Sequence, residues 1–306
     1  MKIASFMPAV TQMIYDMKLN HLLEGITFEC PEIALQEKKV AVKYKLEGQA
    51  LTSSQINTIF AESKATGKSL YYIDEPVLEQ IAPDIIFTQD VCDVCQIDTE
   101  CVAASAYKLE KVPELISITP QGLADVFENA LTIAKAVGQK DLGEKYVADL
   151  KERIYQVIDI QRANRLAVKK VLLLEWIDPL FNCGHWIPEQ IGYAGGIDLL
   201  SHPSGDSMVI DWQKIVKYNP EIIVIAPCGY DVNKTLEDMP LLESKPEWEG
   251  LKAVQNKQIY IADFNLFTQS SASTLVSGIE LLAHIFNPKQ VSLPSHLANS
   301  FKNYFV

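Results

Sequence analysis

The sequence predicts an α/β fold, because short apolar runs typical of β-strands alternate with helix-like segments through both halves of the chain. This alternation is the pattern of parallel sheets that are crossed by helices. Near mid-chain the alternation pauses, and residues 141–165 instead carry apolar residues at spacings of three and four. A length of 306 residues suits two medium domains or one large one, and composition alone leaves both organisations open.

Seven strands stand out as short runs that are rich in apolar and β-branched residues and are bounded by turn-forming residues. Their lengths are those of core strands and fall far short of a membrane span. Ligands in open α/β sheets sit beyond the carboxyl ends of the strands, so the residues after each strand are the first candidates for a site. The predicted strands are residues 3–6, 23–28, 85–88, 115–118, 171–176, 222–226 and 259–262.

The mid-chain segment is predicted to be one long helix, since it contains no glycine after Gly143 and no proline. At about 1.5 Å per residue, such a helix spans more than about 30 Å. It either crosses the surface of one large sheet or connects two domains, and the periodicity does not distinguish these alternatives. The apolar positions that define the helix are Leu142, Tyr146, Leu150, Ile154, Val157 and Ile158.

Composition and charge limit the function classes. A hydrophobic content of 48% indicates a folded globular chain, and a mean hydropathy of +0.05 agrees with this. The net charge of −12 and the pI near 4.9 argue against nucleic acid and anionic membrane surfaces, neither of which attracts an acidic body. We therefore expect the partner to be a small molecule or a protein with a basic patch, with no membrane insertion.

The compartment is predicted from the chain start and the cysteines. The sequence goes from Met1 straight into the first strand, with no apolar signal region ahead of it. Its six cysteines suit a reducing compartment with free thiols better than a disulfide scaffold in a chain of this length. We expect a cytoplasmic location, or a periplasmic or extracellular one if a signal segment precedes the sequence given.

The most informative segment is an aromatic loop, residues 175–189, which follows the strand-like run 170–174. It holds two of the chain's four Trp, with a Phe, a Cys and a His beside a glycine. This composition is poor turn chemistry but suits a wall that contacts a large flat ligand. The candidate ligand contacts in the aromatic loop are Trp176, Phe181, Cys183, His185 and Trp186.

Further candidates follow the other predicted strands. Aromatic, amide and small residues predominate there, and a nucleophile paired with a base is not recognisable. The sequence therefore predicts a binding protein that is not an enzyme and requires no cofactor. The candidates are Phe28, Glu29, Gln89 and Asp90 in the first half and Tyr230 and Phe267 in the second.

His185 is the sharpest of these residues, because a neutral imidazole can ligate a ligand's metal or accept a hydrogen bond. The alternative is that its ring packs or caps the helix predicted at 188–194, which Gly195 and Gly196 end. Trp176 and Trp186 are open to a similar alternative, since Trp is usually well buried. Two Trp in one loop favour the ligand wall.

Cys92 and Cys95 have the spacing of a redox pair or of half a metal site. A structural zinc site normally needs a second pair of ligands, and Cys30 and Cys101, the nearest other thiols in sequence, do not form one. A thiol-dependent redox enzyme is the corresponding alternative function.

The aromatic loop also resembles a known family. Its string Glu-Trp-x-Asp-Pro-x-Phe-x-x-Gly-His-Trp-x-Pro-Glu is similar to the signature of the cobalamin-binding branch of the class III substrate-binding proteins. These proteins are relatives of the vitamin B12 and ferric-siderophore receptors of ABC importers. The likeness extends from Lys2 to about Pro288 and includes, in the same order, residues 69–74, 83–95 and 219–229.

The resemblance implies two Rossmann-like lobes with parallel sheets, joined by one long α-helix, with a ligand cleft between the lobes. It places the lobes at 1–140 and 167–288, the interlobe helix at 141–166, and a tail at 289–306 that packs on a lobe or binds a neighbour. The family carries the same Cys-x-x-Cys, so the resemblance implies that Cys92 and Cys95 are pocket or core residues with free sulfurs.

The implied function is binding of a corrinoid such as cobalamin, which the protein captures or delivers in the cell or to an ABC importer. The first alternative is a siderophore, haem or metal carrier on the same fold. Within this reading, His185 ligates the ligand's metal or donates or accepts a hydrogen bond at a corrinoid amide.

Two departures from the family put the exact ligand in doubt. Phe28 stands where relatives usually have His, and residues 268–273 lack the usual Ser-Arg-Pro-Gly-Pro-Arg. The acidic residue that importer members use for docking is matched by Glu79 or Glu75 in the first half, but by Gln213 in the second. Loss of that charge removes a long-range attraction to a transporter.

Overall fold

The computed structural model describes residues 1–49, 51–66, 69–89 and 99–306. The chain divides into two compact units, one formed by Met1–Pro120 with Asp125–Val147 and the other by Gln121–Ala124 with Ala148–Val306. Each unit contains a mainly parallel sheet with helices between its strands, which confirms the predicted α/β fold class.

The first unit is built on a six-stranded sheet of order β4-β3-β2-β1-β5-β6. All neighbouring strands are parallel except β3 and β4, which pair antiparallel at one edge. The strands are β1 (Ile3–Ser5), β2 (Leu23–Thr27), β3 (Lys39–Tyr44), β4 (Tyr71–Ile73), β5 (Ile85–Thr88) and β6 (Glu114–Ser117). The helices along this part of the chain are α1 (Pro8–Asp16), α2 (Glu32–Glu37), α3 (Ser53–Thr66), α4 (Glu75–Ile81), α5 (Thr99–Ala106) and α6 (Leu123–Ala136).

The second unit has a five-stranded sheet of order β13-β12-β11-β7-β9 and a separate two-stranded pair, β8 with β10. Its strands are β7 (Lys169–Leu174), β8 (Gly184–His185), β9 (Gly196–Ile197), β10 (His202–Pro203), β11 (Ile222–Ile225), β12 (Ile259–Ala262) and β13 (Phe301–Asn303). Its helices are α8 (Ile187–Tyr193), α9 (Trp212–Tyr218), α10 (Val232–Glu243), α11 (Lys252–Gln255), α12 (Asn265–Thr268) and α13 (Ala272–Phe286), with 3₁₀ turns at Trp248–Gly250 and Ser295–Leu297.

All seven predicted strands are present, to within one or two residues at their ends. They were recognisable because parallel strands covered on both faces read as continuous apolar runs. In β11, for example, every side chain is buried. The predicted tail lies in the second unit, where β13 pairs antiparallel with β12 and extends the sheet by one strand.

The predicted mid-chain helix is α7 (Lys140–Asn164), which has 25 residues and is about 37 Å long. Its buried side chains are Val147, Leu150, Ile154 and Val157, a stripe at spacings of three and four. Residues of α7 belong to both compact units. The domain bounds at 140 and 166 stay a prediction. None of the helices in the described part of the chain has the length and apolar character needed to cross a bilayer.

A bidentate ion pair attaches α7 to α13 within the second unit. The Arg153 guanidinium donates to both carboxylate oxygens of Glu280, at 2.9 and 2.7 Å, and to the Ser277 hydroxyl at 3.0 Å. Both charged side chains are at most one-third exposed, so loss of one partner leaves the other poorly compensated.

We predict that Arg153→Ala lowers the free energy of unfolding by about 1–3 kcal/mol, the range for losing hydrogen bonds to a charged group. The matched control is Glu144→Ala, which breaks the exposed Lys140–Glu144 pair on the same helix and changes stability by less than about 0.5 kcal/mol. Denaturant unfolding of both variants checks this. Equal effects in the two variants would show that the Arg153 pair contributes no more than a surface pair.

Candidate ligand-binding site

The aromatic loop leaves the carboxyl end of β7 and folds back on itself immediately. The Phe181 N–H donates to the Trp176 carbonyl at 3.1 Å, and the Glu175 N–H donates to the Phe181 carbonyl at 3.2 Å. Trp176 and Phe181 are therefore opposite one another in an antiparallel bridge. This part of the loop is a small hairpin with regular backbone hydrogen bonds.

A second chain segment pairs with the other side of the hairpin. Phe181 forms an antiparallel bridge with Val209. The Asn182 N–H donates to the Met208 carbonyl at 3.0 Å, and the Asn182 side-chain oxygen accepts from the Met208 N–H at 2.7 Å. The Asn182 amide nitrogen also donates to the Leu200 carbonyl at 2.6 Å. The aromatic loop is thus held on both sides.

The two bridges place three apolar side chains on one surface. Residues directly opposite in an antiparallel pair share a face, so Trp176, Phe181 and Val209 form an apolar row. Trp176 and Phe181 are partly buried, whereas Val209 is 62% exposed. The alternate positions Leu180 and Ile210 point the other way, into the core. The apolar row is the solvent-facing side of the aromatic loop.

His185 follows in β8, where a glycine makes its position possible. A Cβ on Gly184 would lie 2.4 Å from the Gly205 carbonyl oxygen and 2.6 Å from the Ser207 nitrogen, so only glycine fits. The His185 N–H donates to the Gly205 carbonyl at 2.7 Å, and the His185 carbonyl accepts from the Ser204 N–H at 2.9 Å. The backbone of His185 has a φ of +51°.

The His185 ring is neutral near pH 7. Burial lowers the pKa of His185, the Asp206 carboxylate opposes this, and His202 lowers it further. Its Nε2 atom lies 3.9 Å from an Asp206 carboxylate oxygen, and the ring packs at 5.3 Å from that of Trp186. The Nδ1 atom is buried and has no hydrogen-bond partner among the residues that the structure describes.

Four predicted contacts of the second unit lie in the core or close to it. Trp186 is 8% exposed and its Nε1–H donates to the Phe267 carbonyl at 2.6 Å. Cys183 and Phe267 have no exposed surface, so we withdraw them from the ligand-facing set. Tyr230 is buried beneath Trp176, with ring centroids 5.1 Å apart. Tyr230 thus supports the apolar row from below, at Trp176.

Two carboxyl groups beneath the aromatic loop were missed by sequence reasoning. Glu175 accepts from the Gly184 N–H at 3.1 Å and from the Ser207 hydroxyl at 2.8 Å, and burial raises its pKa to about 7 against these bonds. Asp198 accepts from the Leu173 N–H at 3.0 Å, and burial raises its pKa to about 6. The only sequence signal for Glu175 is a charged residue directly after a buried strand.

The Cys183 thiol lies between these carboxyl groups. It donates to Asp198 Oδ2 at 3.7 Å, and burial followed by the charge of Asp198 raises the pKa of the thiol. Cys183 is therefore a protonated core thiol. Cys30 and Cys183 have free thiols, whereas Cys92 and Cys95 lie outside the described residues.

The first unit carries its own set of predicted contacts at the ends of β2 and β5. Phe28 stacks on Tyr44 with ring centroids 5.4 Å apart and planes 5° apart, and Tyr71 completes the cluster. Phe28 thus takes part in a stack of three aromatic rings. Tyr44 was missed because β3 was not predicted.

The polar candidates of the first unit differ in exposure. The Glu29 side chain reaches solvent, but the protein atoms around it remove enough water to raise its pKa to about 7. Gln89 is almost fully buried. Asp90 lies outside the described residues. Within residues 1–49, 51–66, 69–89 and 99–306, no group of three or more His, Cys, Asp or Glu side chains is arranged to hold a metal ion.

The fold and the site can now be compared with known proteins. The sequence profile of a periplasmic binding protein family matches residues 53–266, which is more than half of the chain. The chain belongs to the periplasmic binding protein family. It is therefore a substrate-binding protein of the ABC-importer type. This agrees with the resemblance and with the prediction that the protein is not an enzyme.

Solved structures of periplasmic binding proteins share this fold at low sequence identity. A periplasmic binding protein from Veillonella parvula is 15% identical, with a TM-score of 0.71 over 95% of this chain and 92% of that one. A periplasmic heme binding protein from Pseudomonas aeruginosa is 16% identical, with a TM-score of 0.66 over 94% and 93%. The periplasmic vitamin B12 binding protein of Vibrio cholerae is 15% identical, with a TM-score of 0.61 over 94% and 96%. No curated protein gives a significant sequence match.

We predict that Gly184→Ala destabilises this binding protein by about 1–3 kcal/mol, because the new methyl group meets backbone atoms that cannot move aside independently. Gly192→Ala, in the nearby helix α8, is the matched control: its methyl group meets open space, and stability should rise by about 0.5–1 kcal/mol. Thermal or denaturant unfolding measures both. A neutral Gly184→Ala substitution would show that the contact between β8 and residues 205–207 is not close-packed.

Proposed function

We propose that this periplasmic binding protein binds a corrinoid, such as cobalamin, through the aromatic loop of its second unit. The observation that carries the proposal is the position of His185, a partly exposed imidazole whose pKa burial lowers, on the same loop as the apolar row. A metal-bearing macrocycle needs both an apolar surface and a neutral metal ligand or hydrogen-bond partner.

The apolar row suits a large planar ligand. Its members are held by backbone hydrogen bonds on both sides of the loop, so little conformational entropy is lost when a ligand packs on them. Trp176 offers the largest aromatic face and is supported by the buried Tyr230 ring. Phe181 and Val209 extend this face along the loop.

His185 contributes through its unprotonated nitrogen, which can ligate cobalt or accept a hydrogen bond from an amide side chain. Burial lowers the pKa of His185, which favours the neutral ring. The metal belongs to the ligand, so the protein requires no resident cofactor. In the first unit, Phe28, Glu29, Gln89 and Asp90 stay proposed ligand contacts.

Haem is the second candidate ligand, since an imidazole and an apolar surface also suit a planar iron porphyrin. The related proteins of Vibrio cholerae and Pseudomonas aeruginosa, which bind vitamin B12 and heme by their descriptions, support a tetrapyrrole-like ligand of either kind. A ferric siderophore is the remaining alternative. Delivery to an ABC importer is the proposed role, and family membership fits the periplasmic alternative; the expected cytoplasmic location has no support.

We predict that aquocobalamin binds at least ten-fold more tightly than haemin or a ferric hydroxamate siderophore. Isothermal calorimetry on the purified chain measures the affinities, with cyanocobalamin and cobinamide as corrinoids that differ at the metal and in the lower ligand. Tighter binding of haemin would favour the second candidate. Failure of all corrinoids and haemin to bind would overturn the proposal.

The contribution of His185 is measured in the same titration. Ligation shifts the visible spectrum of aquocobalamin on binding, and His185→Ala should remove the shift, whereas a hydrogen bond alone leaves the spectrum close to that of the free ligand. The exposed His21 provides the control, His21→Ala. Protonation of His185 competes with either role, so affinity should stay constant down to below about pH 6.5, the ordinary pKa of imidazole, and fall only at lower pH.

A further inference from the structure

Glu175 connects the aromatic loop to two other parts of the chain, around Ser207 and Cys228, at the carboxyl end of β7. Its backbone N–H donates to the Phe181 carbonyl at 3.2 Å, and its carbonyl accepts from the Cys228 N–H at 3.2 Å. One carboxylate oxygen accepts from the Gly184 N–H at 3.1 Å, and the other accepts from the Ser207 hydroxyl at 2.8 Å. Every polar group of this residue is therefore used, two within the aromatic loop and two on the segments around Ser207 and Cys228.

We propose that Glu175 is a positioning residue of the ligand site, and that its carboxyl group fixes the orientation of His185 and of Val209. The proposal rests on the proposed function for the identity of the ligand. Gly184 directly precedes His185, and Ser207 is two residues before Val209. One carboxyl group thus sets the relative position of the imidazole and of one end of the apolar row.

The two segments that the Glu175 carboxyl group joins are in close contact. Gly184 already packs against the backbone of residues 205–207, so the carboxyl group joins segments that touch rather than bridging a gap. Without it, the Gly184 N–H and the Ser207 hydroxyl lose their partner beneath the aromatic loop, and each seeks a new one. We expect β8 and the 205–209 segment then to shift relative to each other.

Glutamine is the conservative replacement, because its side chain can keep both bonds. Its Oε1 can accept from the Gly184 N–H, and its Nε2 can donate to the Ser207 hydroxyl oxygen, which accepts as well as donates. Alanine removes both bonds. A positioning role therefore predicts that Glu175→Gln restores what Glu175→Ala loses.

The matched control is Glu221, which precedes β11 and lies beside the opposite, amino end of β7. Its carboxylate accepts a hydrogen bond from the Lys170 N–H of β7 at 3.1 Å. Glu175 accepts the same kind of bond from the Gly184 N–H of β8. Glu221 is exposed and lies at the amino end of β7, away from the aromatic loop. Glu221→Ala tests whether loss of any such bond in this unit affects the site.

The experiment measures aquocobalamin affinity and the His185 imidazole resonances of the ligand-free protein by heteronuclear NMR. We expect Glu175→Ala to weaken binding at least ten-fold and to shift or broaden the His185 resonances. Glu175→Gln should bind within three-fold of the wild type with His185 resonances close to wild-type positions, and Glu221→Ala should change neither quantity.

Wild-type-like binding and His185 resonances in Glu175→Ala would overturn the positioning role, as would equal losses in Glu221→Ala. If the wild type binds no probe, the proposed function fails, and the His185 resonances alone then decide on Glu175. If Glu175→Ala does not fold, Ser207→Ala replaces it. Removal of one of the two bonds should still move the His185 resonances, and unchanged resonances would contradict the proposal.

Discussion

The site depends on the way the chain is anchored where it leaves β7. A loop with two tryptophans, a phenylalanine and a histidine would collapse onto the nearest apolar surface if it were free. Here the Glu175 carboxylate, the Gly184 contact and the Asn182 side chain tie it to residues 200–209, so its outward face stays exposed. The buried carboxyl group is costly when charged, which is why its pKa is raised to about 7.

This anchoring sorts the aromatic residues into two layers with different roles. Trp186, Tyr230 and Phe267 are the buried set: Tyr230 lies against Trp176, and the Trp186 indole donates to the Phe267 carbonyl. Trp176 and Phe181 form the outer layer. A ligand that packs on the outer layer meets a surface organised before binding, and affinity gained in this way comes from reduced ordering cost rather than from additional contacts. The neutral His185 adds directional chemistry to that surface.

A strand can be predicted from sequence when its own residues carry the pattern, and it is missed when its formation depends on a distant partner. The strands β7, β11 and β12 were predicted because burial on both faces makes them apolar throughout, a local property. β3 and β4 lie at one edge of the first sheet and are only partly buried, so neither shows a continuous apolar run. β13 was not predicted because it depends on pairing with β12, about 40 residues earlier in the chain.

The sequence also could not predict that Trp186 is buried whereas Trp176 is only partly buried. Both occur in the same loop, and the partner that draws Trp186 inward is the carbonyl of a residue 81 positions away. Periodicity and composition carry no information on such a contact. The resemblance to class III binding proteins pointed to this loop, and only the tertiary hydrogen bonds show which of its side chains face outward.

The most direct test of this account is native-state hydrogen exchange of the backbone amides of Asn182, Gly184 and His185 in the ligand-free protein. Their acceptors lie at Met208, Glu175 and Gly205, so exchange reports whether the anchoring exists before a ligand binds. The account predicts protection comparable to that of the buried amides of β7. Exchange at the rate of an unstructured peptide would contradict it and would make the aromatic loop a segment ordered only by its ligand.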